Sequence, residues 1–375
     1  MASGLNHIEG ERRTVLGLWA VPGVGSKSIA AIQTTFEDLA SLADVYPHEW
    51  LRKVDLPEQA RRALASAPKP GVLADRAVER CLSAGISIAF QGDEAYPSRL
   101  AEVGDAPPLL FYKGRVGPPR RRLALVGTRR PDMTTSKWAR EFAQRVAAKG
   151  LGVVSGAADG IDQQCHLGAL DVGGETWAFL GSALDEIDPS QKRLWRWVEA
   201  GGGVYFSELP PGVRADRSTF PRRNRLISGA ADAVVILRAP EGSGALYTAE
   251  YAEAQGRPIL VVPGDVSNDS TRGGNAWLRA GRATACLDVG DALAAVGMDR
   301  ALSGPPPKPT APRVDVDSLS ASAQAALRVV DRTPRGFEEL LLASRVESGT
   351  LSSALCELEL LGLVVQHPGK RYERL

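Results

Sequence analysis

Leu123-Ala124-Leu125-Val126-Gly127-Thr128-Arg129-Arg130 is an apolar run that ends in a glycine, a hydroxyl and two arginines. Similar short apolar runs recur at residues 152–155, 176–180, 204–207, 233–237 and 259–262, and helical patterns such as 134–149 and 245–255 lie between most of them. A strand that is apolar along its whole length is covered on both faces, and strands alternating with helices pair in parallel. The pattern predicts an α/β fold built on a Rossmann-like, doubly wound parallel sheet.

In such a sheet, ligands bind beyond the carboxyl ends of the strands. The residues that follow each run are therefore the candidates. They are Gly127, Thr128, Arg129 and Arg130 after the first run and Ser155, Gly156 and Ala157 after the second. Ser243 and Gly244 follow the fifth, where a helix opens. Small residues let a ligand approach the backbone, and helix starts offer free N–H groups to anions. The dinucleotide fingerprint is absent, because Val126-Gly127-Thr128-Arg129 lacks its second and third glycines, and there is no Gly-Lys-Ser/Thr phosphate loop.

Arginines cluster twice. Residues 119–130 carry Arg120, Arg121, Arg122, Arg129 and Arg130 with no acid. Residues 213–226 carry Arg214, Arg217, Arg222, Arg223 and Arg225 against Asp216. Arginine suits bidentate phosphate contact and stacking on bases. Arg120 to Arg122 read as a solvated linker. Phe220-Pro221-Arg222-Arg223-Asn224-Arg225 reads differently. Three arginines would crowd the positive end of a helix there, and a bound polyanion would relieve them.

The whole chain is nearly neutral: 45 Lys and Arg against 44 Asp and Glu in 375 residues, a net charge of +1. That excludes a histone-like polycation but not a confined basic face. Cys81, Cys165, Cys286 and Cys356 are far apart and histidines number only four, so neither a zinc site nor a cofactor is expected and a reducing cytoplasm fits. No run of about 18 apolar residues exists to span a membrane.

The proline-rich stretch 304–315 reads as a linker. It separates a sheet unit at 71–303, with its own N-terminal extension, from residues 316–375. There, three helical patterns and two short strands describe a winged helix. Its third helix, Leu351-Ser352-Ser353-Ala354-Leu355-Cys356-Glu357-Leu358-Glu359, carries two acids and none of the Arg, Lys, Asn or Gln that read bases, so protein contact is the expected use. Residues 1–70 form a helical, SAM-like unit. Its Val21-Pro22-Gly23-Val24-Gly25-Ser26-Lys27 resembles a helix-hairpin-helix, which serves either a DNA phosphate or packing.

These motifs, taken in order, resemble the DNA-processing protein A family, also called DprA or Smf. Val126-Gly127-Thr128-Arg129, Ser155-Gly156-Ala157, Gly160-Ile161-Asp162 and His166 come first. The arginine-rich Phe220–Gly229 segment, Ser243-Gly244-Ala245-Leu246-Tyr247-Thr248-Ala249, Val262-Pro263-Gly264 and Gly274-Asn275 follow. The resemblance implies a non-enzymatic, cytoplasmic protein of natural transformation that binds and protects incoming single-stranded DNA. It further implies RecA loading, a homodimer formed through the Rossmann domain, and DNA contacts at Arg129, Arg217, Phe220 and Arg223. Asp159 departs from the family, where a basic residue is common, and so does Asp185-Glu186-Ile187-Asp188-Pro189. Two alternatives remain. One is a nucleotide-processing hydrolase using acids and bases such as Asp159, Asp162, His166, Glu208 and Glu250. The other is a duplex-binding regulator acting through the winged helix.

Overall fold

A computed structural model describes residues 8–118, 120–186, 195, 198, 203–216, 218–298, 319–331, 333–344, 346–361, 363–367 and 369–374. The linker 304–315 and Arg217 lie outside the described residues. The chain divides into two compact units, Met1–Pro307 and Lys308–Leu375.

The first unit opens with helices α1 (Glu11–Trp19), α2 (Ser26–Thr35), α3 (Pro47–Trp50), α4 (Glu58–Ala65) and α5 (Pro70–Ala84). A nine-stranded sheet follows: β1 (Ser87–Phe90), β2 (Leu109–Gly114), β3 (Arg122–Gly127), β4 (Gly152–Ser155), β5 (Thr176–Phe179), β6 (Val204–Ser207), β7 (Ala233–Arg238), β8 (Ile259–Val261) and β9 (Thr284–Ala285). Between and after the strands lie α6 (Ser98–Ala101), α7 (Met133–Ala148), α8 (Ile161–Asp171), α9 (Thr219–Gly229), α10 (Gly244–Ala254), α11 (Asp269–Arg279) and α12 (Val289–Ala295).

The strand order is β1-β2-β6-β5-β4-β3-β7-β8-β9. Strands β6 to β9 in this order are parallel, and β2 and β1 add an antiparallel margin beside β6. From β3 the chain winds outward to β6, then returns to the other side of β3 as β7. The winding reverses between β3 and β7, and their carboxyl ends form the switch point where this architecture leaves a crevice.

Strand β3 shows why the apolar run is continuous. Leu123 and Leu125 enter a core with Phe142, Val146 and Ile161 of α7 and α8. Ala124 and Val126 point the other way, into a core with Leu226, Ile227, Ala245 and Ala249 of α9 and α10. With period two on a doubly covered strand, every position from Leu123 to Val126 is a core position. Helix starts are set locally: Asp132 accepts from the Thr135 N–H at 2.6 Å to cap α7, and Ser243 caps α10.

The N-terminal helices share a core with the sheet. Leu16, Leu18, Ile29 and Ile32 cluster with Leu109, Phe111, Ala178, Leu180 and Tyr205 of the strand region from β2 to β5. The break expected near residue 70 is therefore not a gap between two cores. Leu167 and Leu170 of α8 pack against the same cluster as Ala178 and Tyr205, and residues of α1, α2 and α5 complete it.

The second unit contains α13 (Ala321–Val329), β10 (Arg335–Gly336), α14 (Phe337–Ser344), α15 (Ser348–Leu360), β11 (Val364–His367) and β12 (Arg371–Arg374). Its sheet runs β10-β12-β11, so the wing gains a short third strand beyond the two expected. Leu327, Leu340, Leu351, Leu355 and Tyr372 form its core. No helix among the described residues is long and apolar enough to cross a membrane.

Candidate nucleic-acid interface

The loop after β3 is tied across the switch point and leaves its side chains outside. The Thr128 N–H donates to the Arg238 carbonyl at 2.8 Å, and the Thr128 carbonyl accepts from the Ile161 N–H at 3.2 Å. Gly160 makes this approach possible. Its φ is +85°, and a Cβ there would sit 2.6 Å from the Thr128 carbonyl. The Arg130 N–H donates to the Thr128 hydroxyl at 3.2 Å. Arg129 and Arg130 are exposed, with Gly127 and Thr128 half-buried at their base.

The loop after β4 is sealed. The Ser155 hydroxyl donates to the Leu125 carbonyl at 2.6 Å. The Gly156 N–H donates to Asp162 Oδ2 at 3.1 Å, and the Ala157 N–H donates to His166 Nε2 at 3.3 Å. Thr176 donates its hydroxyl to the Val153 carbonyl at 3.1 Å, so it accepts from His166 Nδ1 at 2.6 Å. Both ring nitrogens are thus engaged, with the proton on Nδ1. Burial, helped by the nearby Arg223 charge, drives the His166 pKa down to about 3, so the ring is neutral. Burial likewise pushes the Asp162 carboxyl up. The expectation that Ser155, Gly156 and Ala157 offer groups to a ligand is corrected: all three are buried and their donors are spent inside the fold.

Helix α9 divides its motif between surface and interior. Phe220 is 37% exposed and rests on Gly181, where a Cβ would meet the ring at 2.7 Å. The Arg222 side chain is 55% exposed and its Nε donates to Glu208 Oε1 at 3.1 Å. Arg223 is 4% exposed, and its guanidinium donates to the Gly156 and Phe179 carbonyls and to Asn224 Oδ1. The Asn224 amide donates to the Gly244 carbonyl at 3.0 Å. Arg225 is buried, donating to the Asp105 carbonyl at 2.9 Å and to Glu208.

The crowding of arginines at this helix start is relieved from within. Asp216 accepts from the Ser218 and Thr219 N–H groups at 2.6 and 3.1 Å, and the buried Glu208 serves both Arg222 and Arg225. Direct contact of Arg223, Asn224 and Arg225 with a ligand is therefore corrected as well, since each side chain is turned into the protein. Burial pushes the Arg223 pKa down to about 10, which still leaves it charged at neutral pH.

Ser243 and Gly244 stand at the start of α10, Gly244 exposed. One turn on, Tyr247 is 47% exposed. Sequence reasoning passed over it as part of a motif, although its place one turn after a capped helix start was visible. Glu208 as an anchor for two arginines was also missed. Asp159 is exposed at the same edge and accepts from the Gln163 amide at 2.8 Å.

The other arginine cluster sits at the opposite edge. Arg120 and Arg122 pair with Glu175 at 3.3 and 3.1 Å, Arg122 lies 3.4 Å over the Trp177 ring, and Arg121 donates to the Val296 carbonyl. A solvated linker, the expected reading, is replaced by a packed charge network. In the N-terminal hairpin, the Ser26 hydroxyl donates to the Asp105 carbonyl at 3.3 Å.

Fold and site together define a Rossmann-like protein whose switch-point edge bears exposed arginines, in a chain that also carries a winged helix. The family model for DNA recombination-mediator protein A matches residues 87–297, and that for the DprA winged helix domain matches residues 305–370. The chain belongs to the DNA recombination-mediator protein A family, DprA or Smf. Protein Smf of Synechocystis sp. is 32% identical over 312 residues, covering 75% of this chain and 78% of that one. DNA processing protein DprA of Streptococcus pneumoniae is 37% identical over 176 residues, covering 46% and 62%. The X-ray structure of DNA processing protein A from Streptococcus pneumoniae superposes with a TM-score of 0.53 at 28% identity, covering 71% of this chain and 96% of that one.

Proposed function

We propose that the switch-point edge binds single-stranded DNA, with phosphates on Arg129, Arg130 and Arg222 and a base stacked on Phe220. Thr128, Ser243 and Gly244 line the path, and Arg217 is retained as a further contact. Tyr247 is placed to offer a second stacking face. The observation that carries the reading is the exposure of Arg129, Arg130 and Arg222, together with Phe220, at the carboxyl edge of the sheet. Backbone charge and stacking accept any sequence. In this reading the protein protects incoming strands during natural transformation, delivers them to RecA and works as a homodimer through its Rossmann-like unit.

A hydrolase reading finds no support in its best candidate pair. His166 is neutral, buried and committed at both nitrogens, and Asp162 is buried beneath the loop it holds. The winged helix exposes Thr350, Ser352, Ser353 and Cys356 on α15, and its Glu357 accepts from the Ser320 hydroxyl at 2.6 Å. None of these is the Arg, Lys, Asn or Gln that reads a base edge bidentately, so protein contact is the proposed role of that unit.

The test is a fluorescence anisotropy titration of the full-length protein with single- and double-stranded oligonucleotides at several salt concentrations. Tighter, sequence-independent and salt-sensitive binding of single strands is expected. A preference for one duplex sequence, or turnover of mononucleotides without strand binding, would overturn the reading.

A further inference from the structure

We infer that Arg223 is a positioning residue: its buried guanidinium joins the ends of β4 and β5 and so sets the face of α9 that meets the strand. The inference rests on the single-strand reading of this edge. Arg223 donates to the Gly156 carbonyl, just past β4, and to the Phe179 carbonyl at the end of β5. Its Nε–H donates to Asn224 Oδ1 at 3.2 Å, and Asn224 passes the connection to the Gly244 carbonyl at the start of α10. Two consecutive side chains thus join three of the connections that border the site. On the same helix, Arg225 joins Asp105 and Glu208, and Glu208 holds Arg222.

The consequence is geometric. Residues 223–225 are locked inward, which fixes the position and rotation of α9, and Phe220 and Arg222 at the exposed start of the same helix are held in place with it. A phosphate could recruit Arg223 only by stripping two buried carbonyls of their donor, which the interior penalises. The charges facing the guanidinium are Asp162 and Arg129. Asp162 balances it from below, and Arg129 is the outward neighbour better placed for a phosphate. Lysine cannot replace this arginine, because a single ammonium lacks the planar fork that reaches two carbonyls and an amide together.

Phenylglyoxal modification of the full-length protein, with and without oligothymidylate and mapped by peptide fragmentation, tests this without any variant. Arg129, Arg130 and Arg222 are expected to react in the free protein and to be protected by the oligonucleotide, while Arg223 stays unreacted in both states. Reaction of Arg223 in the free protein followed by its protection would overturn the inference. Absence of protection at Arg129, Arg130 and Arg222 would instead overturn the strand-binding reading beneath it. In a second arm, Arg223→Lys is expected to weaken binding about tenfold with an unchanged salt slope, since the surface charges remain. A lysine variant with native affinity would count against the positioning role.

Discussion

The two ends of strand β3 carry arginines to opposite purposes. At its amino end, Arg120 and Arg122 converge on Glu175, and Arg122 lies over Trp177. At its carboxyl end, Arg129 and Arg130 stand exposed beside the switch point. In the sequence they form one basic stretch. In the fold, a strand of six residues separates them by about 20 Å. What distinguishes them is the presence of a buried acid. Glu175 neutralises the amino end, whereas the carboxyl end offers free charge to an anion.

The largest test of this contrast is Arg122→Ala. Removing the buried partner leaves Glu175 with Arg120 as its remaining cation, and a loss of about 3 kcal/mol in stability is expected in urea unfolding. Single-strand affinity of the folded variant should remain native. Weakened DNA binding without loss of stability would mean that the amino end also meets the strand.

Next comes the sealed loop after β4, through His166. Its native pKa of about 3 lies below the ordinary value of 6.5. The unfolded chain therefore takes up a proton that the native state refuses. The stabilisation is complete above pH 6.5 and declines as pH falls toward 3, by roughly 1 kcal/mol per pH unit. His166→Gln should remove that component from the acid-denaturation profile. An unchanged profile would show that His166 is accessible and protonated in the native protein.

Phe220→Ala should weaken single-strand binding about thirtyfold, since stacking contributes about 2 kcal/mol, and should abolish quenching of a 2-aminopurine probe. Retained quenching would move the stacking role to Tyr247. The smallest effect is expected for Arg129→Ala: roughly fivefold weaker binding and a salt slope shallower by about 0.7, the value of one phosphate contact on a single strand. A slope equal to that of the unaltered protein would place Arg129 outside the path of the phosphates.

The parallel strands were legible because a doubly covered strand must be apolar along its length, as Leu123 to Val126 show. Strands β1 and β2 were not, because an antiparallel margin carries no equally strong pattern. In the candidate site, Arg129, Arg130, Phe220 and Arg222, expected to meet DNA, stand exposed and remain proposed contacts. Ser155, Gly156 and Ala157 at a strand end, and Arg223, Asn224 and Arg225 in a helix start, were expected to face a ligand but are turned inward. A short polar residue in a turn reads alike whether its hydrogen bonds run outward or inward. An arginine is long enough to go either way.

Residue order alone settled the architecture and the family and pointed to the sheet edge proposed as the site, because periodicity and motif spacing are local properties. Tertiary structure decided which arginines are free. That depends on acids and carbonyls far away in the chain: Glu175 for Arg122, Glu208 for Arg225, and Gly156 with Phe179 for Arg223. A guanidinium buried among such acceptors is withdrawn from a ligand, whereas one at the surface stays open to it even beside an acid, as Arg222 does beside Glu208. Those acceptors are brought within reach by folding.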